Sequence, residues 1–416
     1  MVSISGIRGI WAAGLDVPTL TKYAGAYATW ILQQCETTGR DAKVVIGRDA
    51  RVSGDVVSQL VAATLRSAGI DVVDAGLAST PTVEMAVLFE QAAGGIIFSA
   101  SHNPAEWNAL KLLNEKGEFL SPDQARDMQA LADDEPTTAD YLALGSYEQK
   151  DFLQAHIDAI LALPYVDPAK IKARGFKVAV DGIDSVGGIA IPALLNALGV
   201  TDIVCLNCEP TGRFSHVAEP LPQHLTGIID AVGEQKCDLG IVVDPDADRL
   251  ALVADGGTYV SEELTQVAAA DFLWKHKSGP FATNLSSSRA IEDVAKKHGQ
   301  QTYRSAVGEI NVVERMKEVD AVLGGEGNGG VILPDLHYGR DALVGVALVL
   351  QHLAETGQSL SQIRDSYPAY HIAKHKVPLG DLDAAYVEGD PSESARRAVY
   401  RVSRALELAG LTPRAA

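Results

Sequence analysis

The chain has 416 residues, 47% of them hydrophobic and 21% charged, and carries a net charge of −19. That balance fits a folded globular protein, and at about 150 residues per domain it predicts roughly three domains. The acidic surplus argues against a nucleic-acid or anionic-membrane surface, no apolar run reaches the length of a membrane span, and Met1 to Arg8 lacks a basic stretch followed by an apolar core, so the expected setting is cytoplasmic.

In chain order, Ser5-Gly-Ile-Arg-Gly9 reads as a loop, and the glycines flanking Arg8 favour close approach to a ligand. Lys43 to Ile46 reads as a strand, Asp55 to Ala68 as a helix closed by Gly69, and Ile70 to Val73 as a strand. Arg48 and Arg51 flank Asp49 in the loop after the first of these. A hydrophobic run, Gly94 to Phe98, delivers Phe98-Ser-Ala-Ser-His-Asn-Pro104 to a strand end, where α/β proteins handle ligands. Ser101 there is a hydroxyl nucleophile beside His102, which can hold or relay a proton; alone, it would be read as a turn serine. Leu110 to Leu113 reads as a strand and Asn114 to Gly117 as a turn, which lets Lys111 point back towards that loop. An acidic, turn-rich run from Asp133 to Asp140 precedes a helix from Phe152 to Leu163, and a domain boundary is placed near 150.

The pattern then repeats. Lys177 to Val180, a helix near Ile189 to Leu198 closed by Gly199, and Ile203 to Leu206 form a second β-α-β unit. Pro280 to Thr283, a helix from about Ser288 to His298 closed by Gly299, and Thr302-Tyr303 form a third. Such repeats predict mainly parallel sheets covered by helices. Of the four cysteines, Cys205-x-x-Cys208 lacks a second close pair, and all are read as small buried or half-buried residues.

Between these units lie two more loops. Leu239 to Val243 reads as a strand leading into Asp244-Pro-Asp-Ala-Asp-Arg249, whose alternating carboxylates Asp244, Asp246 and Asp248 form an oxygen cluster suited to Mg²⁺, Mn²⁺ or Ca²⁺. An EF-hand is excluded, because Arg249 stands where that loop demands glycine and the flanks are strands. With a serine at one strand end and a cation cage at another, the chain reads as a phosphoryl-transfer enzyme acting through serine. The third loop, Gly324 to Gly330, is no nucleotide loop, since strand-like Val331 to Pro334 follows it and Gly-Lys-Ser/Thr is absent. It offers Glu326 and Asn328 to sugar hydroxyls on a flexible backbone; a glycine-rich tight turn is the plainer alternative. A helix from Asp341 to Ala354 ends at Gly357, another covers Ser359 to Asp365, a last one spans Glu393 to Leu408, and Thr412 to Ala416 is expected to fray.

These residues resemble the α-D-phosphohexomutase family, in the right order over about residues 1–355. Ser99 to Pro104 resembles the phosphoserine loop, Asp244 to Arg249 the metal loop, and Gly325-Glu-Gly-Asn-Gly329 the sugar loop; Ser5 to Gly9, Gly47 to Arg51, Ser79-Thr-Pro81 and Gly212-Arg-Phe-Ser-His216 add to the match. The resemblance implies three consecutive similar α/β domains with mixed, mainly parallel sheets (1–150, 151–253 and 254–366) and a truncated or divergent C-terminal segment, 367–416. It implies phosphate carried on Ser101; one Mg²⁺ per site bridging Ser101 to Asp244, Asp246 and Asp248; Arg8, His102 and Arg249 on phosphoryl or reacting oxygens; Lys111 as general acid or base; and Gly325, Glu326, Gly327 and Asn328 around the sugar. It further implies sugar phosphates as partners, a hexose bisphosphate as activator of Ser101 phosphorylation, and is compatible with a homodimer. The asparagine-containing sugar loop, and the lack of a lysine in Thr283-Asn-Leu-Ser-Ser-Ser288, favour glucosamine phosphate over mannose or glucose phosphate. Nothing after Tyr367 resembles the family's phosphate-anchoring Arg-x-Ser-x-Thr-Glu-Pro loop, which raises the alternative of a catalytically impaired sugar-phosphate-binding protein.

Overall fold

Three sheets repeat one strand order. The structure, a computed structural model, describes residues 2–3 and 6–370. In the first sheet, Asp71–Leu77, Lys43–Arg48 and Gly94–Phe98 pair in parallel, and Trp107–Leu113 returns antiparallel to Gly94–Phe98. The second sheet repeats this with Asp202–Leu206, Lys177–Asp181, Leu239–Val243 and antiparallel Leu250–Ala254. The third does so with Thr302–Ser305, Phe281–Asn284, Leu323–Glu326 and antiparallel Gly330–Ile332. The sheets are therefore mixed, parallel at their centres and antiparallel on one side. Residues 1–369 form one compact unit. Among the described residues no helix is long and apolar enough to cross a membrane.

Alternation along the strands explains the layering, because successive side chains point to opposite faces. Val44, Ile46, Ile96 and Phe98 pack with Leu20, Tyr27 and Val61 of the helices Val17–Thr38 and Gly54–Ser67. Val45 and Ile97 face the other way, onto Val83 and Val87 of the helix Thr80–Phe89. The second and third sheets share a continuous core, with Val180, Ile241, Phe281 and Leu323 meeting Leu348 of the helix Ala342–Thr356. That helix is capped by Asp341, which accepts the Leu343 and Val344 N–H groups, and closes at Gly357 in the left-handed region (φ 71°).

Several expectations change in detail. Arg8 lies in a strand, Gly6–Trp11, rather than a loop, because that segment pairs with Trp107–Leu113. Thr258–Val260 pairs with Leu250–Ala254 and extends the second sheet by one strand. Cys205 is exposed rather than buried, at the edge of the second sheet; Cys35 and Cys208 are half-buried, Cys237 is buried, and all four are free. The helix expected over Glu393 to Leu408, the fraying expected over Thr412 to Ala416, Ser5, and nearly all of the C-terminal segment 367–416 lie outside the described residues.

Candidate active site

The repeated topology places three loops at one equivalent position: the turn from the third strand of each set into its antiparallel return. These turns are 99–106, 244–249 and 327–329, the same loops that the sequence singles out. Two of them carry a non-glycine residue in the left-handed region, Ser101 (φ 50°) and Ala247 (φ 52°), a conformation that costs roughly 1–2 kcal/mol per residue.

Arg51 holds the serine loop in that shape. Its buried guanidinium donates to the carbonyls of Ser101 (2.6 Å), Asn103 (2.7 Å), Trp107 (2.9 Å) and Pro104. Asp49 anchors it through Nε at 3.0 Å, and the Phe214 ring lies 5.1 Å from it. The Ser99 hydroxyl accepts the Ser101 N–H at 2.9 Å.

So held, Ser101 is buried, and its Oγ donates to Asp244 Oδ2 at 2.7 Å across 143 residues of sequence. The hydroxyl and the triple-aspartate turn thus meet in one place. Oxygens of Asp244, Asp246 and Asp248 lie within 4.8 Å of one another, all fully buried. Burial and the two neighbouring carboxylates push the Asp244 carboxyl well above its usual range. Burial acts the same way on Asp246, but the Lys111 ammonium and the Thr80 hydroxyl (2.6 Å) overcome it and hold Asp246 low. Lys111 is itself buried, 2.5 Å from Asp246 and 3.7 Å from Asp248; burial alone would lower its pKa, but the two carboxylates raise it.

One oxygen of Asp246 and one of Asp248, the Oδ1 atoms, are buried without a hydrogen-bond partner. A buried carboxylate oxygen left this way is costly unless a cation takes it. An all-oxygen set of this kind fits a hard divalent ion such as Mg²⁺.

Arg8, Ser101, His102, Lys111 and Arg249 line one cavity of about 650 Å³ together with Glu326 and Asn328, a volume within the range of small-ligand sites. Arg8 donates to Asn103 Oδ1 at 2.6 Å. His102 Nδ1 sits 3.5 Å from Ser101 Oγ, and burial with nearby Arg249 and Arg8 pushes its pKa down to about 4, so the ring is neutral at neutral pH. Arg249 Nε faces Asp248 at 3.7 Å and Asp244 at 3.9 Å. The three aspartates are not among the lining residues, but Ser101 and Lys111, which are, bond to Asp244 and Asp246 respectively. Gly325 and Gly327 are not among them either; Gly327 N–H donates to Ser287 Oγ at 2.9 Å.

Glu326 is buried and accepts from Asn284 at 2.8 Å and Arg340 at 2.7 Å. Burial would raise its pKa; Arg340 and the Asn284 amide hold it below the ordinary value. Arg340, Asn284 and Thr80 are absent from the sequence reading of the site. Thr80 lies in Ser79-Thr-Pro81, one of the matching segments, and Asn284 in the 283–288 run, which the sequence reading used only for its lack of a lysine. Arg340 had no such signal, being a lone arginine before a helix.

Known proteins resemble this chain along most of its described length. Residues 2–138, 154–257 and 261–370 match, respectively, alpha/beta/alpha domains I, II and III of phosphoglucomutase/phosphomannomutase. A phosphoglucomutase/phosphomannomutase of Thermococcus kodakarensis is 32% identical over 408 residues, covering 97% of this chain and 85% of its own. A phosphoglucosamine/phosphogalactosamine mutase of Sulfurisphaera tokodaii is 30% identical over 383 residues, covering 90% and 82%. Among solved structures, a phosphoglucomutase/phosphomannomutase family protein of Burkholderia thailandensis superposes with a TM-score of 0.76 at 26% identity, covering 89% of this chain and 81% of that one.

Proposed function

Because this chain belongs to the phosphoglucomutase/phosphomannomutase family of phosphohexomutases, we propose that it interconverts the 6- and 1-phosphates of a hexosamine, glucosamine phosphate first among them, through a phosphoserine at Ser101. The observation that carries this reading is the 2.7 Å contact of Ser101 Oγ with the triple-aspartate turn. The relative named for glucosamine and galactosamine phosphates supports the choice of sugar; glucose or mannose phosphate is the alternative.

In the proposed reaction the free hydroxyl of a hexose monophosphate attacks the phosphorus on Ser101. The new sugar O–P bond forms as the P–Oγ bond breaks, which leaves a hexose bisphosphate and a serine oxygen beside Asp244. The hydroxyl proton passes to a base at the cavity wall while the departing serine oxygen takes up a proton. The other phosphate of the bisphosphate then returns to Ser101, its sugar O–P bond breaking as P–Oγ forms, with the serine proton lost and the freed sugar oxygen protonated. An added hexose bisphosphate would prime the serine by the second half of this cycle. Asp244, Asp246 and Asp248 would hold Mg²⁺, which when bound supplies positive charge against the phosphoryl oxygens.

The chain's own groups supply the rest. Arg8 and Arg249 offer further positive charge to phosphoryl oxygens at the cavity wall. Neutral His102 can accept a proton at Nδ1. Lys111, held protonated by Asp246 and Asp248, is suited to donate one. Glu326 and Asn328 would accept and donate hydrogen bonds at vicinal sugar hydroxyls, fixing which oxygen faces Ser101.

Mass spectrometry of the chain treated with a hexose bisphosphate should find phosphate on Ser101, and Ser101→Ala should lose both the phosphate and turnover of glucosamine 6-phosphate. Normal turnover in that variant would refute the reading. Phosphate on Ser101 with sugar-phosphate binding but no isomer formed would instead favour a binding protein.

A further inference from the structure

Arg340 belongs to none of the three loops, yet its guanidinium reaches two of them. Nη2 donates to Asp248 Oδ2 at 2.7 Å and Nη1 to Glu326 Oε2 at 2.7 Å. Nε lies 3.1 Å from Glu309 at the start of the helix Glu309–Glu318, and the other Glu309 oxygen accepts the Arg340 backbone N–H at 2.9 Å. Three carboxylates from three separate segments therefore share one buried fork, and they raise its pKa well above the ordinary value although burial opposes them.

The contacts select particular oxygens. At Asp248 the fork takes Oδ2, and Oδ1 is the oxygen left without a hydrogen-bond partner in the aspartate cage. At Glu326 it takes Oε2, while Asn284 and the Gly308 N–H hold Oε1. Neither carboxylate can rotate without breaking a charge-assisted bond.

Arg340 is itself fixed. Its neighbour Asp341 caps the following helix through Oδ1 and meets two buried histidines through Oδ2, His156 at 2.9 Å and His337 at 3.3 Å. Gly330 leaves room for the arginine stem, since a Cβ there would run into Arg340 Cδ.

We propose that Arg340 is a positioning residue that couples the sugar loop to the cation cage, orienting Asp248 for the ion and Glu326 for the sugar through one rigid group. The inference rests on the reading above, in which Asp248 holds the cation and Glu326 grips the sugar. A lysine would not replace the arginine, because a single ammonium lacks the planar fork that engages both carboxylates at once.

The test uses Arg340→Met and Arg340→Lys in the full chain, with thermal melting as the control for folding. Calorimetry measures Mg²⁺ binding and glucosamine 6-phosphate binding separately, so no turnover is needed. Arg340→Met should weaken both ligands about tenfold, the loss of one charge-assisted hydrogen bond at each site, and Arg340→Lys should restore at most one of them. Glu326→Gln should weaken only the sugar phosphate and Asp248→Asn chiefly Mg²⁺. Adding Arg340→Met to Glu326→Gln should cost the sugar little more, because the two act as one unit.

An Arg340→Met variant that shifts only one ligand, or whose effect adds fully to that of Glu326→Gln, overturns the proposal. If Arg340→Met melts too low for calorimetry, Arg340→Lys decides on the same two affinities: full recovery of both overturns it. A wild-type chain that binds neither ligand sinks the functional reading beneath it, whereas one that binds both with indifferent Arg340 variants sinks this inference alone.

Discussion

Arg51→Met would remove the group that shapes the serine loop while keeping a long apolar stem in its place. The wild-type guanidinium donates to four carbonyls of the 101–107 segment and to Asp49, with its side chain fully buried. Breaking a buried ion pair by removing one partner costs roughly 3–5 kcal/mol. Each stranded carbonyl adds about 1–3 kcal/mol if it stays dry. Two effects limit the sum: the loop can open to water, and Asp49, already pushed up by burial against the pull of Arg51, can take a proton. The expected loss is therefore about 3–5 kcal/mol, felt first as opening of the serine loop. A displacement of Ser101 by about 1 Å costs on the order of 100-fold in rate. Steady-state kinetics with glucosamine 6-phosphate should show kcat falling by about that factor, with KM changed less, and peptide mapping should show reduced phosphate on Ser101. A folded Arg51→Met chain with kcat within about twofold of wild type would refute the reasoning.

Three further outcomes follow from the same geometry. Gly327→Ala would drive a Cβ into the buried Glu263 carboxylate, so the sugar loop should shift and KM rise by about tenfold, with Ser101 phosphorylation unchanged; an unaltered KM would contradict the packing. Removal of divalent ions with EDTA should abolish turnover and added Mg²⁺ restore it, while Asp246→Asn, which removes a cage charge and the Lys111 partner, should require far more Mg²⁺; equal Mg²⁺ dependence would count against the cage.

The third concerns stability against pH. Asp341 and Glu84 push the His337 imidazole up to about 10 although burial opposes them, and burial pushes Glu84 up to about 8. In both cases the folded chain holds a proton that the unfolded chain releases: the Glu84 contribution is full below about pH 4.5 and lost by about 8, the His337 contribution is full below about 6.5 and lost by about 10, so melting temperature should fall as pH rises through these windows. His337→Gln should flatten the slope, and an unchanged slope would exclude the pair as its source.

What the sequence revealed follows from range. Strands such as Gly94–Phe98 and Leu239–Val243 were readable because continuous apolar runs ended at turn residues, and helix ends because glycine closed them. Ser101 and the three aspartates were readable because a nucleophile and an oxygen cage are each compact in sequence, and the fold then joined them. Arg8 was misplaced in a loop because flanking glycines suggest a turn, whereas pairing with Trp107–Leu113, far along the chain, makes the segment a strand. Arg51 was visible as a loop arginine, but not as the group beneath the serine, since its partners lie some fifty residues away (|i−j| of 50 to 56). Arg340 gave no signal at all: its meaning comes from carboxylates 14, 31 and 92 residues distant.

The most direct measurement is a single-turnover chase. The chain, phosphorylated on Ser101 with radiolabelled phosphate and freed of excess donor, is mixed with glucosamine 6-phosphate and Mg²⁺ and quenched over time. Label leaving the protein, entering a hexosamine bisphosphate and then the monophosphates is the predicted course. Label that stays on Ser101, or appears only as inorganic phosphate, would contradict it.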